Sequence, residues 1–313
     1  MKKIAFIFPG QGSQFTGMGK DLYENFDNAK KIFNKFDEIS AKSVSGLCIE
    51  GSDEDLKQTI NSQPAILAVS LAAYKVLKKE TGLMPDFVAG HSLGEYSALY
   101  AAGVIETEEL IKLAQKRAEL MSNAPSGSMT AILGLDEETI NRVIQEASSE
   151  GIICAANYNT PNQTVISGEA KAIKKANELA TQAGAKRVIP LAVSGAFHSP
   201  LMKPLSQDFT RYINDTNIND AIIPVVTNVD AKPTVDKAEL SSKMIKQMYS
   251  SIYWNQSIAY MLEQDTDTFI EIGPGKVLSG MIRKINREVK VYNICDKASL
   301  EKIKEAVASQ LSV

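Results

Sequence analysis

Twelve residues, Val88-Ala89-Gly90-His91-Ser92-Leu93-Gly94-Glu95-Tyr96-Ser97-Ala98-Leu99, constrain this chain more than any others. They read as a short apolar strand, a G-x-S-x-G turn and a helix rich in small residues, the layout of a nucleophile elbow. Glycines flank the serine because backbone packs on backbone in such a turn, where side chains would clash. The serine hydroxyl then stands at the head of a helix, whose backbone N–H groups favour developing negative charge. A strand over residues 87–90 and a helix ending at Gly103 give this short pattern its weight, since glycine suits a helix C-terminus.

The chain has 313 residues, enough to bury one large core or a large unit carrying a smaller one. A net charge of −3 argues against general nucleic-acid binding, which shows as a basic excess. Cys48, Cys154 and Cys295 are odd in number and far apart, so neither a disulfide framework nor a zinc site is expected. Met1-Lys2-Lys3 and the apolar run that follows imitate a signal peptide, but Pro9-Gly10 ends that run after five residues, short of the ~7–15 a secretory segment needs. The uncharged stretch 58–74 is interrupted by Asn61, Ser62, Gln63 and Pro64, and nothing approaches the ~18 apolar residues of a membrane span. A cytoplasmic protein with no membrane or nucleic-acid partner is expected.

Residues 4–8 form an apolar strand that runs into Pro9-Gly10-Gln11-Gly12-Ser13-Gln14. Its two glycines let backbone N–H groups face a ligand, yet the spacing matches neither phosphate-binding glycine motif. Residues 21–36 and 53–57 read as surface helices and 63–79 as a buried, alanine-rich helix. In 106–121, Leu110, Leu113, Ala114, Ala118, Leu120 and Met121 make one stripe and Lys112, Gln115, Lys116 and Glu119 the opposite face. Arg117 falls inside the apolar stripe, where a guanidinium needs an anion. That anion is either a core Asp or Glu or the carboxylate of a ligand.

A second unit follows, with strands at 129–135, 152–158, 163–167 and 186–193 and helices at 137–150 and 171–183. This β-α-β-β-α-β order is the ferredoxin-like arrangement. The first unit resumes at Ser194-Gly195-Ala196-Phe197-His198-Ser199-Pro200, with strands at 223–227, 268–272 and 289–294 and a turn at Gly273-Pro274-Gly275-Lys276. The expected fold is therefore α/β, a mostly parallel, α/β-hydrolase-like sheet domain over 1–126 and 196–313 with a ferredoxin-like domain inserted at 127–195.

A serine nucleophile needs a base, and the chain has two histidines. His91 adjoins Ser92 and points elsewhere from a tight turn, which leaves His198. No acid between them has a convincing strand-end setting, so a backbone or amide carbonyl is free to fix the imidazole tautomer instead.

Together these blocks, with Gln63-Pro64-Ala65, resemble the malonyl-CoA:acyl carrier protein transacylase family along essentially the whole chain. The resemblance implies ping-pong transfer of malonyl from coenzyme A to a carrier-protein thiol through Ser92, activated by His198. It implies an oxyanion hole from the backbone N–H groups of Gln11 and Leu93, a carboxylate contact by Arg117, and a histidine-orienting carbonyl near Gln247. Phe197 matches the family's malonyl-type pattern, and Gln63 and Asn159 match positions near the site. The substrate is then a coenzyme A thioester, no bound cofactor or metal is required, and a monomer is expected. Lys186, Arg187, Lys276, Arg283, Lys284 and Arg287 are candidates for receiving an acidic carrier protein. Two rivals keep the same elbow: a serine esterase or thioesterase, and a discrete acyltransferase of a polyketide assembly line.

Overall fold

The computed structural model describes residues 2–40, 42–193 and 195–311; Ser194, where the first unit was expected to resume, lies outside the described residues. The strands are β1 (Lys3–Phe8), β2 (Phe87–Gly90), β3 (Ser128–Leu133), β4 (Ile153–Thr160), β5 (Gln163–Gly168), β6 (Arg187–Pro190), β7 (Val225–Val226), β8 (Pro233–Thr234), β9 (Thr266–Ile272) and β10 (Lys290–Ile294). Six form one sheet in the order β10-β9-β1-β2-β7-β8, and four form another in the order β4-β5-β3-β6. The larger sheet is parallel except where β8 returns on β7. The smaller is antiparallel throughout.

Two-residue alternation divides the larger sheet's side chains between two cores. Phe6, Phe8, Val88, Val225 and Ile270 enter the larger core, while Ala5, Ile7, Phe87, Ala89 and Phe269 pack with Trp254, Ile258 and Ile282 on the other side. Strands buried on both faces read as near-continuous apolar runs, and β1 after Lys3 and β2 read that way. The helix Thr59–Thr81 crosses the larger core and is buried on nearly all sides along its first four turns. It starts four residues before the expected position and runs through Pro64, which forfeits one backbone hydrogen bond near the helix start.

Some boundaries differ from expectation. The helix expected over 21–36 is two, Lys20–Asn25 and Asp27–Ile39, because Phe26 turns extended between them and packs against the core. Val44–Glu50 is a further helix, capped by Ser43, whose hydroxyl accepts the Gly46 N–H. The strand expected over 223–227 shortens to two residues, and β8 adds an edge strand with Pro233, which suits an edge.

The smaller sheet is tied to the segment that precedes the helix Trp254–Glu263. Tyr158 N–H donates to Ile252 O at 2.9 Å, and Ile252 N–H donates to Ala156 O at 2.8 Å. Within the larger sheet, the elbow packs backbone to backbone on the loop after β1. A Cβ on Gly94 would run into the Phe8 carbonyl, whereas a Cβ on Gly280 would meet nothing. Gly94→Ala is therefore expected to destabilise the protein by about 3 kcal/mol, the upper end of overpacking. In the same urea titration Gly280→Ala, inside the helix Val277–Ile285, is expected to stabilise by about 0.5–1 kcal/mol.

Candidate active site

In a parallel sheet the loops beyond neighbouring strand ends lie side by side, so the carboxyl edge gathers residues far apart in sequence. Here the edge of β1, β2 and β7 brings together Gln11, Ser92 and Asn228. Ser92 has a left-handed backbone, φ 52°, as does His198 at φ 56°. For a residue with a Cβ this costs roughly 1–2 kcal/mol and persists only where the surroundings enforce it.

Ser92 Oγ lies 2.8 Å from His198 Nε2, and His198 Nδ1 lies 2.8 Å from the backbone oxygen of Gln247. A carbonyl only accepts, so Nδ1 carries the proton and Nε2 is left to accept from the serine hydroxyl. Gln247 ends the helix Lys237–Gln247 and is fully buried. Burial, and next the nearby Arg117 charge, lower the His198 pKa to about 3, against the upward pull of the Gln247 carbonyl. The ring is neutral at neutral pH. Its folded pKa is depressed below the ordinary 6.5, so its contribution to stability is present above that value and is lost as pH falls toward 3.

Arg117 projects from the helix Thr107–Ser122 into the protein and is 1 % exposed. Its Nη1 donates to Gln63 Oε1 at 2.7 Å, and its Nη2 donates to Ser92 Oγ at 3.1 Å and Gln247 Oε1 at 3.0 Å. The guanidinium carbon sits 5.1 Å from the Tyr96 ring centre. No Asp or Glu among the described residues comes within ion-pair distance, which removes the internal salt bridge as its explanation. The buried Nε has no hydrogen-bond partner. Burial lowers the Arg117 pKa, yet a guanidinium stays charged in proteins, so the pocket holds a cation with unspent donors.

Glu95 is buried beneath the elbow. Its Oε2 accepts the Asn228 N–H at 2.6 Å and its Oε1 accepts Gln247 Nε2 at 3.0 Å. Burial pushes this carboxyl up to about 8, opposed by those donors and by the charges of Arg117 and Lys243. Among the described backbone amides of the two loops, the N–H groups of Gln11 and Leu93 have no acceptor. A cleft of about 280 Å³ opens over Ser92 and His198, walled by Gln11, His91, Met121, Met129, Leu191 and Phe197.

Other expected residues sit differently. Asn159 Oδ1 meets Nε2 of His91, the neighbour of Ser92, at 2.8 Å, and the His91 ring packs edge-on against Trp254. Lys186, Arg187, Lys276, Arg283, Lys284 and Arg287 are exposed and none lines the cleft; Lys276 borders a separate cavity of about 190 Å³. Lys57, not singled out from the sequence, is the one lysine in the cleft wall. Asn228 was also missed, although its place just after a strand next to the elbow strand was a usable signal. A larger cavity, about 630 Å³, lies on another face among Val44, Leu47, Ile60 and Tyr212 and includes none of these groups. Among the described residues no group of three or more His, Cys, Asp or Glu is placed to hold a metal, and no helix is long and apolar enough to cross a membrane.

Residues 5–308 match the family described as the acyl transferase domain. The malonyl CoA-acyl carrier protein transacylase of Bacillus subtilis (strain 168) is 47% identical over 305 residues, 96% of each chain. An acyl carrier protein S-malonyltransferase of Vibrio cholerae superposes with a TM-score of 0.93 at 39% identity, covering 96% of this chain and 99% of the other. A malonyl-transacylase in complex with its type II PKS acyl-carrier protein gives 0.94 at 36% identity, covering 97% and 99%.

With its pKa pushed to about 3, the His198 ring is expected to give NMR resonances of a neutral imidazole from pH 8 down to pH 5. A titration step near pH 6.5 would show a solvated ring and contradict the buried geometry.

Proposed function

Since the chain belongs to the acyl transferase domain family, we propose that it moves the malonyl group from malonyl-CoA to the phosphopantetheine thiol of acyl carrier protein, supplying fatty acid synthesis. The observation that carries this reading is Arg117, a buried cation with no carboxylate partner that donates to the same oxygen His198 accepts from. A serine esterase has no need for a cation at that point, whereas a malonyl thioester brings a free carboxylate to meet it.

In the first half-reaction Ser92 Oγ attacks the thioester carbonyl carbon as its proton passes to His198 Nε2. The carbonyl oxygen becomes an oxyanion between the N–H groups of Gln11 and Leu93, donors of a kind worth ~3–4 kcal/mol each. The C–S bond then breaks, and coenzyme A leaves as a thiol with the proton from His198. In the second half the carrier-protein thiol gives its proton to His198, its sulfur attacks the malonyl-serine ester, and Ser92 Oγ recovers the proton as the ester C–O bond breaks. Gln247 O keeps the imidazole in the required tautomer throughout. The thioester substrate is the only coenzyme this scheme calls for.

Gln63 steadies the guanidinium through its 2.7 Å bond, and Asn159 acts more remotely, by fixing His91. Phe197 in the cleft wall favours malonyl over methylmalonyl by the ~1–3 kcal/mol that one methyl commands. We read the four-stranded sheet and its two helices, residues 127–195, as a ferredoxin-like domain inserted into an α/β-hydrolase-like domain formed by 1–126 and 196–313. The strand order β4-β5-β3-β6 supports this. The exposed Lys186, Arg187, Lys276, Arg283, Lys284 and Arg287 steer the acidic carrier protein from beyond the cleft, an effect that fades with salt. A monomeric, cytoplasmic enzyme suits this role.

Incubation with malonyl-CoA followed by intact-mass analysis tests the scheme. Wild type is expected to gain one malonyl group and Ser92→Ala none; an adduct persisting in that variant would place the nucleophile elsewhere. Arg117→Ala is expected to lose about 10²- to 10³-fold in kcat/KM for malonyl-CoA, the loss of a buried charge pair, while its relative use of acetyl-CoA rises. An unchanged malonyl-to-acetyl ratio would remove the carboxylate role.

A further inference from the structure

A left-handed serine has to be held, and two side chains bond its backbone: Gln247, whose Nε2 donates to Ser92 O at 3.0 Å, and Asn228, which takes the N–H. The register of β2 on β7 pairs Val88 with Val225 and Ala89 with Val226. The chain leaving β7 therefore runs beside the chain leaving β2, and Asn228 comes to face the elbow. It is fully buried. Its Oδ1 accepts the Ser92 N–H at 2.9 Å, and its Nδ2 donates to the Gly90 carbonyl at 2.6 Å. One carboxamide thus spans the turn from the residue that enters it to the serine itself. The clamp is anchored in turn, since the Asn228 N–H donates to Glu95 Oε2 and Gln247 Nε2 reaches Asn228 Oδ1 at 3.3 Å.

We infer that Asn228 is a positioning residue for acyl transfer: it fixes Ser92 in its attacking conformation and takes up the Ser92 N–H. The inference rests on the reading of Ser92 as the nucleophile. Two neighbouring amides in the turn have different fates. That of Ser92 is spent on Asn228, and that of Leu93 has no acceptor. Holding the first away fixes the direction of the second, so the clamp sets both the nucleophile and one oxyanion donor. A carboxamide suits the position because its two ends accept from an N–H and donate to a C=O at the same time, on two separate atoms. An aspartate keeps the acceptor but turns an oxygen toward the Gly90 carbonyl. An alanine keeps neither bond.

The test is rapid-quench acylation by malonyl-CoA, read by intact mass in full-length wild type, Asn228→Ala and Asn228→Asp. The readouts are the acylation rate constant, the fraction of sites finally acylated, and KM. The expected result for Asn228→Ala is a rate constant lower by about 10²-fold, the cost of an ångström-scale misplacement, with nearly all sites still acylated and KM within about threefold. Asn228→Asp is expected to fall between alanine and wild type. If Asn228→Ala does not fold, Asn228→Ser, too short to span both bonds, is expected to show the same slowing. A smaller acylated fraction with a wild-type rate constant would mean that Asn228 only supports folding, and would overturn the inference. So would an aspartate variant no faster than alanine. No adduct in wild type would instead overturn the nucleophile reading beneath it.

Discussion

The contact on which the rest of this structure depends is between backbones, where the loop after β1 lies against the elbow after β2 with no side chain between them. Gly94 faces the Phe8 carbonyl and Gly10 faces that of His91, each too close to admit a Cβ. This closeness sets Gln11, which follows one strand, beside the turn that follows the next, and Gln11 and Ser92 line the same cleft. Positions set by backbone packing need no side-chain reorganisation to be kept. The glycines therefore shape the cleft through distance alone.

Around that contact the protein buries a cation and a carboxyl group without letting them meet. Gln247 accepts from Arg117 through Oε1 and donates to Glu95 through Nε2, at 3.0 Å in each case. The two ionisable groups are thus joined by an amide rather than by a direct ion pair. A direct pair would neutralise the guanidinium and fix its geometry. With the Glu95 carboxyl pushed up to about 8, the amide bridge brings the guanidinium no full counter-charge and leaves Nε unpartnered. Burial of a cation in this form is costly by itself, and the arrangement makes sense for a protein whose ligand completes it.

Much of this was legible in the sequence because it depends on local rules. Residues 4–8 and 87–90 are apolar throughout, as strands with both faces covered must be, and Arg117 was conspicuous because it broke an otherwise apolar helical stripe. The lack of a convincing acid before His198 pointed to a carbonyl in its place, and the ring is seen to meet Gln247 O. Asn228 was missed for a different reason: its position after the strand at 223–227 was readable, but its partners were not. Its partners, Gly90, Ser92 and Glu95, lie 133 to 138 positions away, and only the pairing of β2 with β7 brings them together. Asn159 was placed near the site by resemblance, and its contact with His91, the neighbour of Ser92, is one that periodicity does not reveal. The break at Phe26 was missed because the helical pattern continues through it, and a single aromatic side chain turning into the core outweighs propensity.

Ser92 and His198 share a left-handed backbone, and each depends on a residue from a later segment of the chain, Asn228 for one and Gln247 for the other. Relaxation of either to an ordinary conformation would release that strain. The two turns thus keep a shape that their own local preference does not supply, and they borrow it from parts of the chain far away in sequence.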